Sequence, residues 1–285
     1  MCRRPASDTL LVWVLRGCAA AACATLVLIG AFLVYETLPV LRHEGLGVFF
    51  RSDGWVPSEH LYGLMPMLVG TLLVMAGAVL VATPLGLLSA VFCHFYAPRR
   101  LVTPYRRLIE LLAGIPSVVY GFWGLMVLVP AINNIRPPGA SLLAGIVVLT
   151  IMILPTIALM ADASFAAVPR ASIAAAYALG LDKVGLLRAA VFPAAKSGLF
   201  TGLILETGRA TGETMAVIMV CGNIVQMPKS LFDPVRTLTA NIALEMSFAM
   251  NDHRSALFAS GLLLIILIIA LVAVAEWISR EPVHA

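Results

Sequence analysis

Three ionisable residues stand close together in a stretch that is otherwise fit for hydrocarbon. Glu206, Arg209 and Glu213 lie three and four positions apart, at and just before the segment GRATGETMAVIMVCGN (208–223). A charge inside a membrane costs roughly 2.5 kcal/mol or more, so such residues usually face a protein interior or a wet path. On a continuous helix the three side chains share one face. We therefore expect this cluster to be the functional centre.

The residue types in this cluster suit the handling of an anion. Arg209 offers a planar set of donors to an oxyanion, and Glu213 would hold the guanidinium in place until substrate arrives. The alternative is an internal Arg209–Glu213 pair that only locks two helices together. With both Glu206 and Glu213 ionised the cluster is net negative. An anion would then be repelled unless a partner subunit adds positive charge or one carboxylate is protonated.

Small residues accompany these charges. Gly198, Gly202, Gly208 and Gly212 form two pairs of glycines four positions apart, on adjacent faces of the expected helix. Such pairs allow another helix to approach closely. The spacing predicts that the charged stripe lies at a helix–helix interface.

The elements that position the cluster are membrane-spanning helices. The chain has 285 residues, of which 61% are hydrophobic and 12% charged, and its apolar residues occur in long blocks. These values indicate an all-α integral membrane protein. Six spans are expected, at about residues 10–35, 65–95, 108–130, 141–160, 197–221 and 255–278.

Basic residues are concentrated in alternate connections. The N-terminus, the 99–107 and 170–196 connections and Arg280 fall on one side of a six-span topology and are the most basic for their length. We expect that side to be cytoplasmic, with both termini on it. The expected organisation is a first span with an external loop (1–64), a domain of five spans (65–278) and a cytoplasmic tail (279–285).

Several classes of site are not expected. The five cysteines and five histidines show neither paired spacing nor a zinc-binding cluster, so we expect no metal and no disulfide framework. The sequence lacks a G-x-x-x-x-G-K-[ST] loop and so cannot hydrolyse ATP by that route. We expect a non-catalytic chain that needs no cofactor and binds no nucleic acid.

The third span and the connection before the fifth have distinctive compositions. In IELLAGIPSVVYGFWG (109–124), Gly114, Pro116, Gly121 and Gly124 predict a bent or broken helix. The 162–196 connection is too polar to span but has helical periodicity. It contains AAAYALGLDKVGLLRAAVFPAA (174–195).

This second motif resembles the EAA loop of ABC importer permeases, a cytoplasmic helix-turn-helix that docks on the ATPase subunit. The matching residues are Ala174, Ala175, Ala176, Gly180 and Pro193. The family has Glu at the position of Ala174, and Ile and Leu at those of Ala190 and Phe192. Without the resemblance, the motif reads equally well as an amphipathic interfacial helix with no partner.

Four ordered blocks closely resemble the C-type permease of bacterial phosphate ABC importers, over roughly residues 66–271. The blocks are IELLAGIPSVVYGFWGL (109–125), GIVVLTIMILPTIALM (145–160), GRATGETMAVIMVCGN (208–223) and RTLTANIALEM (236–246). The resemblance implies a type I importer permease (MetI-like) fold, with the permease domain over residues 65–278, in the bacterial inner membrane. It also implies a second, related permease as partner, ATP-binding subunits at the cytoplasmic loop and an external phosphate-binding protein. Arg209 and Glu213 match charged positions implicated in phosphate passage, whereas Glu206 stands where the family has a small residue and Thr211 where it often has Leu.

Other functions stay open on the residues alone. One Arg does not distinguish phosphate from sulfate or molybdate. Glu206 and Glu213 could relay protons in a secondary transporter, and a structural scaffold is disfavoured by the cost of the charges. The polar residues of RTLTANIALEM predict an outer surface that receives the binding protein or lines the outer mouth, or else a solvated loop.

Overall fold

The computed structural model describes residues 6–50 and 54–279, and these residues are mostly helical. The α-helices are α1 (Ala6–Glu44), α2 (Met65–Val91), α3 (Arg99–Ala113), α4 (Ser117–Trp123), α5 (Val129–Asn133), α6 (Leu142–Ala166), α7 (Arg170–Ala178), α8 (Lys183–Leu186), α9 (Phe192–Gly212), α10 (Met215–Val220), α11 (Leu238–Glu245) and α12 (Asn251–Ser279). Short π-helical segments, Phe92–Tyr96, Gly124–Leu128 and Leu187–Val191, continue or join neighbouring helices. Two 3-10 turns (Leu46–Phe50 and Pro57–Glu59) and a two-stranded antiparallel hairpin, β1 (Trp55–Val56) with β2 (Leu61–Tyr62), complete the described elements.

Some expectations concern residues outside the described ranges. Arg3 and Arg4 at the N-terminus, Arg280 and the expected tail beyond Ser279 all fall there.

Within residues 6–50 and 54–279, five helical segments are long and apolar enough to cross a membrane, and there are six if the bent pair 99–113 and 117–133 is counted as one span. Each of the six expected spans thus has a helical counterpart. The limits around the first and third spans were wrong. Helix α1 continues to Glu44 instead of ending near Tyr35, because Thr37 and Val40 are buried against the rest of the bundle and keep this polar extension ordered. The expected 99–107 connection is helical and forms the first part of α3.

The third span is broken, as its glycines and proline predict. Helix α3 ends before Gly114, α4 begins after Pro116, and the two limbs meet at 89°. A break leaves carbonyl groups without helical partners. The Tyr120 hydroxyl donates to the Leu112 carbonyl at 2.7 Å, so a side chain from the second limb satisfies the end of the first.

The fifth span was predicted with the wrong limits at both ends. It begins earlier than Ser197, because α8, the π-helical segment and α9 form one helical run from Lys183 to Gly212. It also does not continue to Cys221. The backbone of Glu213 is extended, and α10 begins two residues later.

The core lies around α6, which packs mainly on α2 and α9. Glycines set the closest approaches in this core. A Cβ at Gly86 of α2 would lie 2.7 Å from the Ile157 side chain, and one at Gly198 of α9 would lie 2.5 Å from the Ser164 hydroxyl. Helix α1 lies at the periphery, where Phe32 meets Phe258 of α12 edge to face.

The two ends of the bundle have separate apolar clusters. One joins the ends of α2 and α6 to α7 and α8 and is centred on the fully buried Phe165. The other joins the hairpin, α11 and the start of α12 around Met67 and Leu257. Connections that a six-span topology assigns to opposite sides are therefore held at opposite ends.

Candidate functional site

Two of the predicted charged residues meet near the end of α9. The Nη1 atom of Arg209 lies 4.0 Å from Oε2 of Glu206, one turn earlier on the helix. The Glu206 side chain is 8% exposed, whereas the Arg209 side chain is 40% exposed. Glu206 Oε2 is buried and has no hydrogen-bond partner. The pair therefore offers a partly open guanidinium beside a carboxylate that the protein only partly satisfies.

Glu213 does not share the helical face of Glu206 and Arg209, so the predicted arrangement of three residues on one helix was wrong. Its Oε1 atom accepts the N–H of Ala216 at 3.2 Å, and its carbonyl accepts the Thr239 hydroxyl at 2.9 Å. These contacts hold the break between α9 and α10. Hydropathy and spacing did not reveal the break because the hydrogen bond that stabilises it comes from α11.

The predicted Arg209–Glu213 pair is replaced by the Arg209–Glu206 approach within the part of the chain that the structure describes. Arg209 also lies within electrostatic range of Tyr120 on α4. Arg209 itself lies four residues before Glu213, where the fifth span breaks. A cation in the last turn of α9 is in addition favoured by the negative end of the helix dipole.

The second limbs of the two broken spans pack directly on each other. A Cβ at Gly121 of α4 would lie 2.8 Å from the Cα of Ala216 in α10, and one at Gly124 would lie 2.9 Å from the Val220 side chain. Only a residue without a side chain permits this approach. The glycines that predicted a break thus also set the distance between α4 and α10.

Of the two glycine pairs expected in α9, two glycines pack against a neighbouring helix and two face open space. Gly198 and Gly202 pack against Ser164 and Met160 of α6, as expected for a helix interface. In contrast, a Cβ at Gly208 or Gly212 would meet nothing within 4 Å. The chain therefore leaves open space at these two positions on either side of Arg209, although Ala210 and Thr211 between them are buried.

The segment that resembles the EAA loop is a helix-turn-helix. Helix α7 contains Ala174, Ala175 and Ala176, of which the first two are exposed and the third is buried. Gly180 has φ +73° at the turn, a backbone conformation that L side chains rarely adopt. Pro193 is the second residue of α9, directly after the π-helical segment Leu187–Val191, and it has no N–H to donate to that preceding segment.

This segment is fixed on one face and open on the other. Asp182 caps α8 by accepting the Gly185 N–H at 2.8 Å, and Lys183 Nζ donates to the Phe95 carbonyl at 3.3 Å. Leu179, at the tip, is 80% exposed, and Tyr177 and Val184 are also exposed. A rigid turn that presents apolar side chains is suited to contact with another protein.

A polar network centred on Glu245 was not predicted from the sequence. Glu245 of α11 accepts hydrogen bonds from Arg236 Nη1 at 2.6 Å and from Trp55 Nε1 at 2.6 Å, and it lies 2.9 Å from His253 Nε2. The network ties the hairpin, the 222–237 connection, α11 and α12 together. Trp55 and His253 are remote from RTLTANIALEM in the sequence, and no local spacing links them to it.

The polar residues of RTLTANIALEM face inward. Thr237, Thr239 and Asn241 are buried, so they form neither the predicted outer surface nor a solvated loop. Thr237 caps α11 by accepting the Ala240 N–H at 3.2 Å. Leu238 N–H donates to Thr71 of α2 at 3.0 Å, which fixes α11 on the bundle. Among the described residues, the His, Cys, Asp and Glu side chains form no group that could hold a metal ion.

The chain is a bundle of apolar helices with two broken spans. The partly exposed Arg209 lies beside the breaks, and an exposed helix-turn-helix lies at one end. These features define a membrane transport component. A family model described as "Binding-protein-dependent transport system inner membrane component" matches residues 82–281. The chain belongs to this family. It is a non-catalytic inner-membrane component, and members of the family work with ATP-binding subunits and substrate-binding proteins.

Curated relatives match most of the chain. A phosphate transport system permease protein PstC of Mesorhizobium japonicum is 36% identical over 283 aligned residues, covering 90% of this chain and 86% of the relative. A PstC of Xylella fastidiosa is 37% identical over 281 residues, with the same coverages of 90% and 86%. The probable ABC transporter permease protein YqgH of Bacillus subtilis is 36% identical over 276 residues and covers 94% of this chain and 89% of the relative.

Solved structures share the fold at low sequence identity. A chain of the inward-facing MetNI methionine ABC transporter has a TM-score of 0.60 at 21% identity, covering 76% of this chain and 96% of that chain. A chain of a bacterial alginate ABC transporter, in complex with its periplasmic protein, has a TM-score of 0.68 at 12% identity and covers 98% of both chains. The fold is that of the MetI-type ABC importer permeases, as the sequence blocks implied.

Proposed function

We propose that this chain is the permease subunit of an ATP-driven importer and forms part of the translocation path for inorganic phosphate by alternating access. One observation supports phosphate as the substrate. The partly exposed guanidinium of Arg209 lies where two broken spans meet, in a chain that is 36–37% identical to phosphate permeases. A guanidinium fork pairs with two oxygens of a tetrahedral oxyanion.

A second, related permease is the proposed source of the rest of the site. Gly208 and Gly212 flank Arg209 and have open space where a Cβ would stand. Another helix can approach closely at such positions. Positive charge from that partner would offset Glu206, so that an anion is not repelled.

The helix-turn-helix at α7 and α8 is proposed to receive the ATP-binding subunits. The exposed Tyr177, Leu179 and Val184 would lie in that contact, with Ala174 to Ala176 and Gly180 setting its shape and Pro193 starting the helix that leads to Arg209. Since α8 and α9 form one helical run, movement of the docked loop would be passed along α9. Both termini are then cytoplasmic, and an external phosphate-binding protein delivers substrate at the opposite end.

The test is uptake of radiolabelled phosphate by the complete complex in proteoliposomes. Uptake should require ATP and the ATP-binding subunits, and the binding protein should deliver phosphate in preference to sulfate or molybdate. Uptake driven by a proton gradient alone would instead support a secondary transporter. Preference for sulfate or molybdate would support the assignment as an importer but would show that its substrate is not phosphate.

The Arg209→Gln variant tests the residue assignment. It should abolish phosphate uptake while the protein still inserts and assembles, because glutamine keeps hydrogen-bonding capacity but lacks the charge. Arg136→Gln, an exposed arginine beside Phe232, is the matched control and should transport normally. Normal uptake by Arg209→Gln would exclude this substrate role.

A further inference from the structure

Helix α3 presents three different faces, and only one of them is used to attach it to the bundle. On that face Ile109 is buried, Arg106 Nη2 donates to Asp162 of α6 at 2.9 Å, and the Tyr105 hydroxyl lies 2.7 Å from that of Ser89 in α2. These contacts fix α3 to the ends of α2 and α6. That end of the bundle also carries the helix-turn-helix of α7 and α8.

A second face of α3 is apolar and uncovered. Leu101, Leu108 and Leu112 are seven and four positions apart, which places them on one stripe of the helix. Leu111 borders this stripe. All four leucines are exposed, and Leu108 is 54% exposed.

The third face is basic. Arg99, Arg100 and Arg107 are exposed, and one carboxylate, that of Glu110, accompanies them. Arg100 and Arg107 are two turns apart and point in the same direction. The exposed charge of this face is therefore positive.

The bend gives α3 its direction relative to the spans. The second limb, 117–133, is helical over 17 residues and packs against α6, where Gly124 meets the Val148 side chain. At about 1.5 Å per residue it covers about 25 Å, most of a hydrocarbon core of about 30 Å. A first limb at 89° to it then lies along the membrane surface and does not cross the membrane.

We propose that α3 is an interfacial anchor that binds the anionic headgroups of the lipid leaflet at this end of the protein. The leucine stripe enters the acyl-chain boundary, and Arg99, Arg100 and Arg107 contact the headgroup phosphates. An apolar sector next to a basic sector, parallel to the membrane plane, is the arrangement of interfacial helices. Anionic lipid is the occupant that complements both exposed faces, because it supplies hydrocarbon and negative charge in adjacent layers. The assignment does not depend on which solute the protein carries.

The position of α3 is tested in the complete transporter, with Cys2, Cys18 and Cys23 replaced. A fluorophore is placed at Leu108→Cys or at Arg107→Cys, and nitroxides are attached to the acyl chains of vesicle lipids. The label at position 108 should be quenched more strongly than the label at 107. Equal weak quenching at both positions, or a Leu108 label shielded only when the ATP-binding subunits are present, would overturn the proposal and indicate a protein-docking helix.

The charge requirement is tested with Arg100→Gln/Arg107→Gln in vesicles of phosphatidylcholine with and without phosphatidylglycerol. Binding of fluorescent phosphatidylglycerol, measured by energy transfer from the Leu108→Cys label, should weaken about fivefold for each arginine removed. Arg100→Lys/Arg107→Lys should restore it, since a headgroup layer needs charge and not a guanidinium fork. The matched control Arg136→Gln/Lys229→Gln removes two exposed charges at the other end of the bundle and should have no effect. Equal weakening in that control, or none in the Gln pair, would overturn the lipid assignment.

Discussion

The guanidinium of Arg209 lies 4.0 Å from the carboxylate of Glu206, and both side chains come from the last two turns of α9. Glu206 is thus the carboxylate that a bound anion would have to compete with. At this separation two unit charges interact by roughly 1 kcal/mol in water and roughly 4 kcal/mol at an effective dielectric constant of 20. Because Arg209 is partly open to its surroundings, we expect the interaction to lie towards the weaker limit.

Replacing Glu206 should change how phosphate competes for Arg209. We expect Glu206→Gln and Glu206→Gly to lower the KM for phosphate several-fold or to alter the pH profile of uptake, because the competing negative charge is gone. Uptake at a series of phosphate concentrations and pH values measures both. Glu59→Gln removes an exposed carboxylate beside the hairpin and serves as the control. An unchanged KM and pH profile would show that Glu206 does not influence phosphate binding or transport.

Gly121 should tolerate no side chain. In Gly121→Ala the new Cβ would lie 2.8 Å from a backbone atom of Ala216, so α4 and α10 have to separate. Overpacking of this kind costs about 1–3 kcal/mol, and the thermal midpoint and uptake should both fall. Gly17→Ala on α1 has open space at its Cβ and should leave both unchanged. Equal midpoints for the two variants would show that α4 and α10 are not in close contact.

The Glu245 network should be a main support of the end of the bundle that holds the hairpin. Glu245→Ala leaves Arg236 as a mostly buried, unpaired charge, which costs roughly 3–5 kcal/mol. The paired variant Arg236→Met/Glu245→Leu should recover part of the loss, because it removes both charges. Thermal unfolding and limited proteolysis of the hairpin measure the effect. If the paired variant were less stable than Glu245→Ala, the Arg236–Glu245 pair would not be the reason for the loss.

A cysteine at the tip of the helix-turn-helix should crosslink to the ATP-binding subunit. Leu179→Cys and Val184→Cys are the positions of choice, since both side chains are exposed, whereas a side chain at Gly180 would strain the turn. In a background without Cys2, Cys18 and Cys23, a short bifunctional reagent should link each cysteine to the ATP-binding subunit. Leu231→Cys, exposed at the other end, should give no link. An active complex without crosslinks at 179 and 184 would contradict the docking assignment.

The sequence by itself determined what depends on local composition. Long apolar blocks predicted the six spans, and Gly114 with Pro116 predicted the break in the third, because a helix cannot pass that pair without losing hydrogen bonds. The sequence also predicted the helical segment 174–195 and the family, because both are recognised from motifs whose residues stand in a fixed order.

Only the tertiary structure decided which polar groups meet. The break after Gly212 depends on a hydrogen bond from Thr239, and the burial of Glu245 depends on Trp55 and His253, which are remote in the sequence. On a continuous helix, spacing alone would place both Glu206 and Glu213 next to Arg209 and would not favour either one. The structure selects Glu206 because Glu213 is drawn away to cap α10, a choice set by contacts between helices and not by periodicity within one.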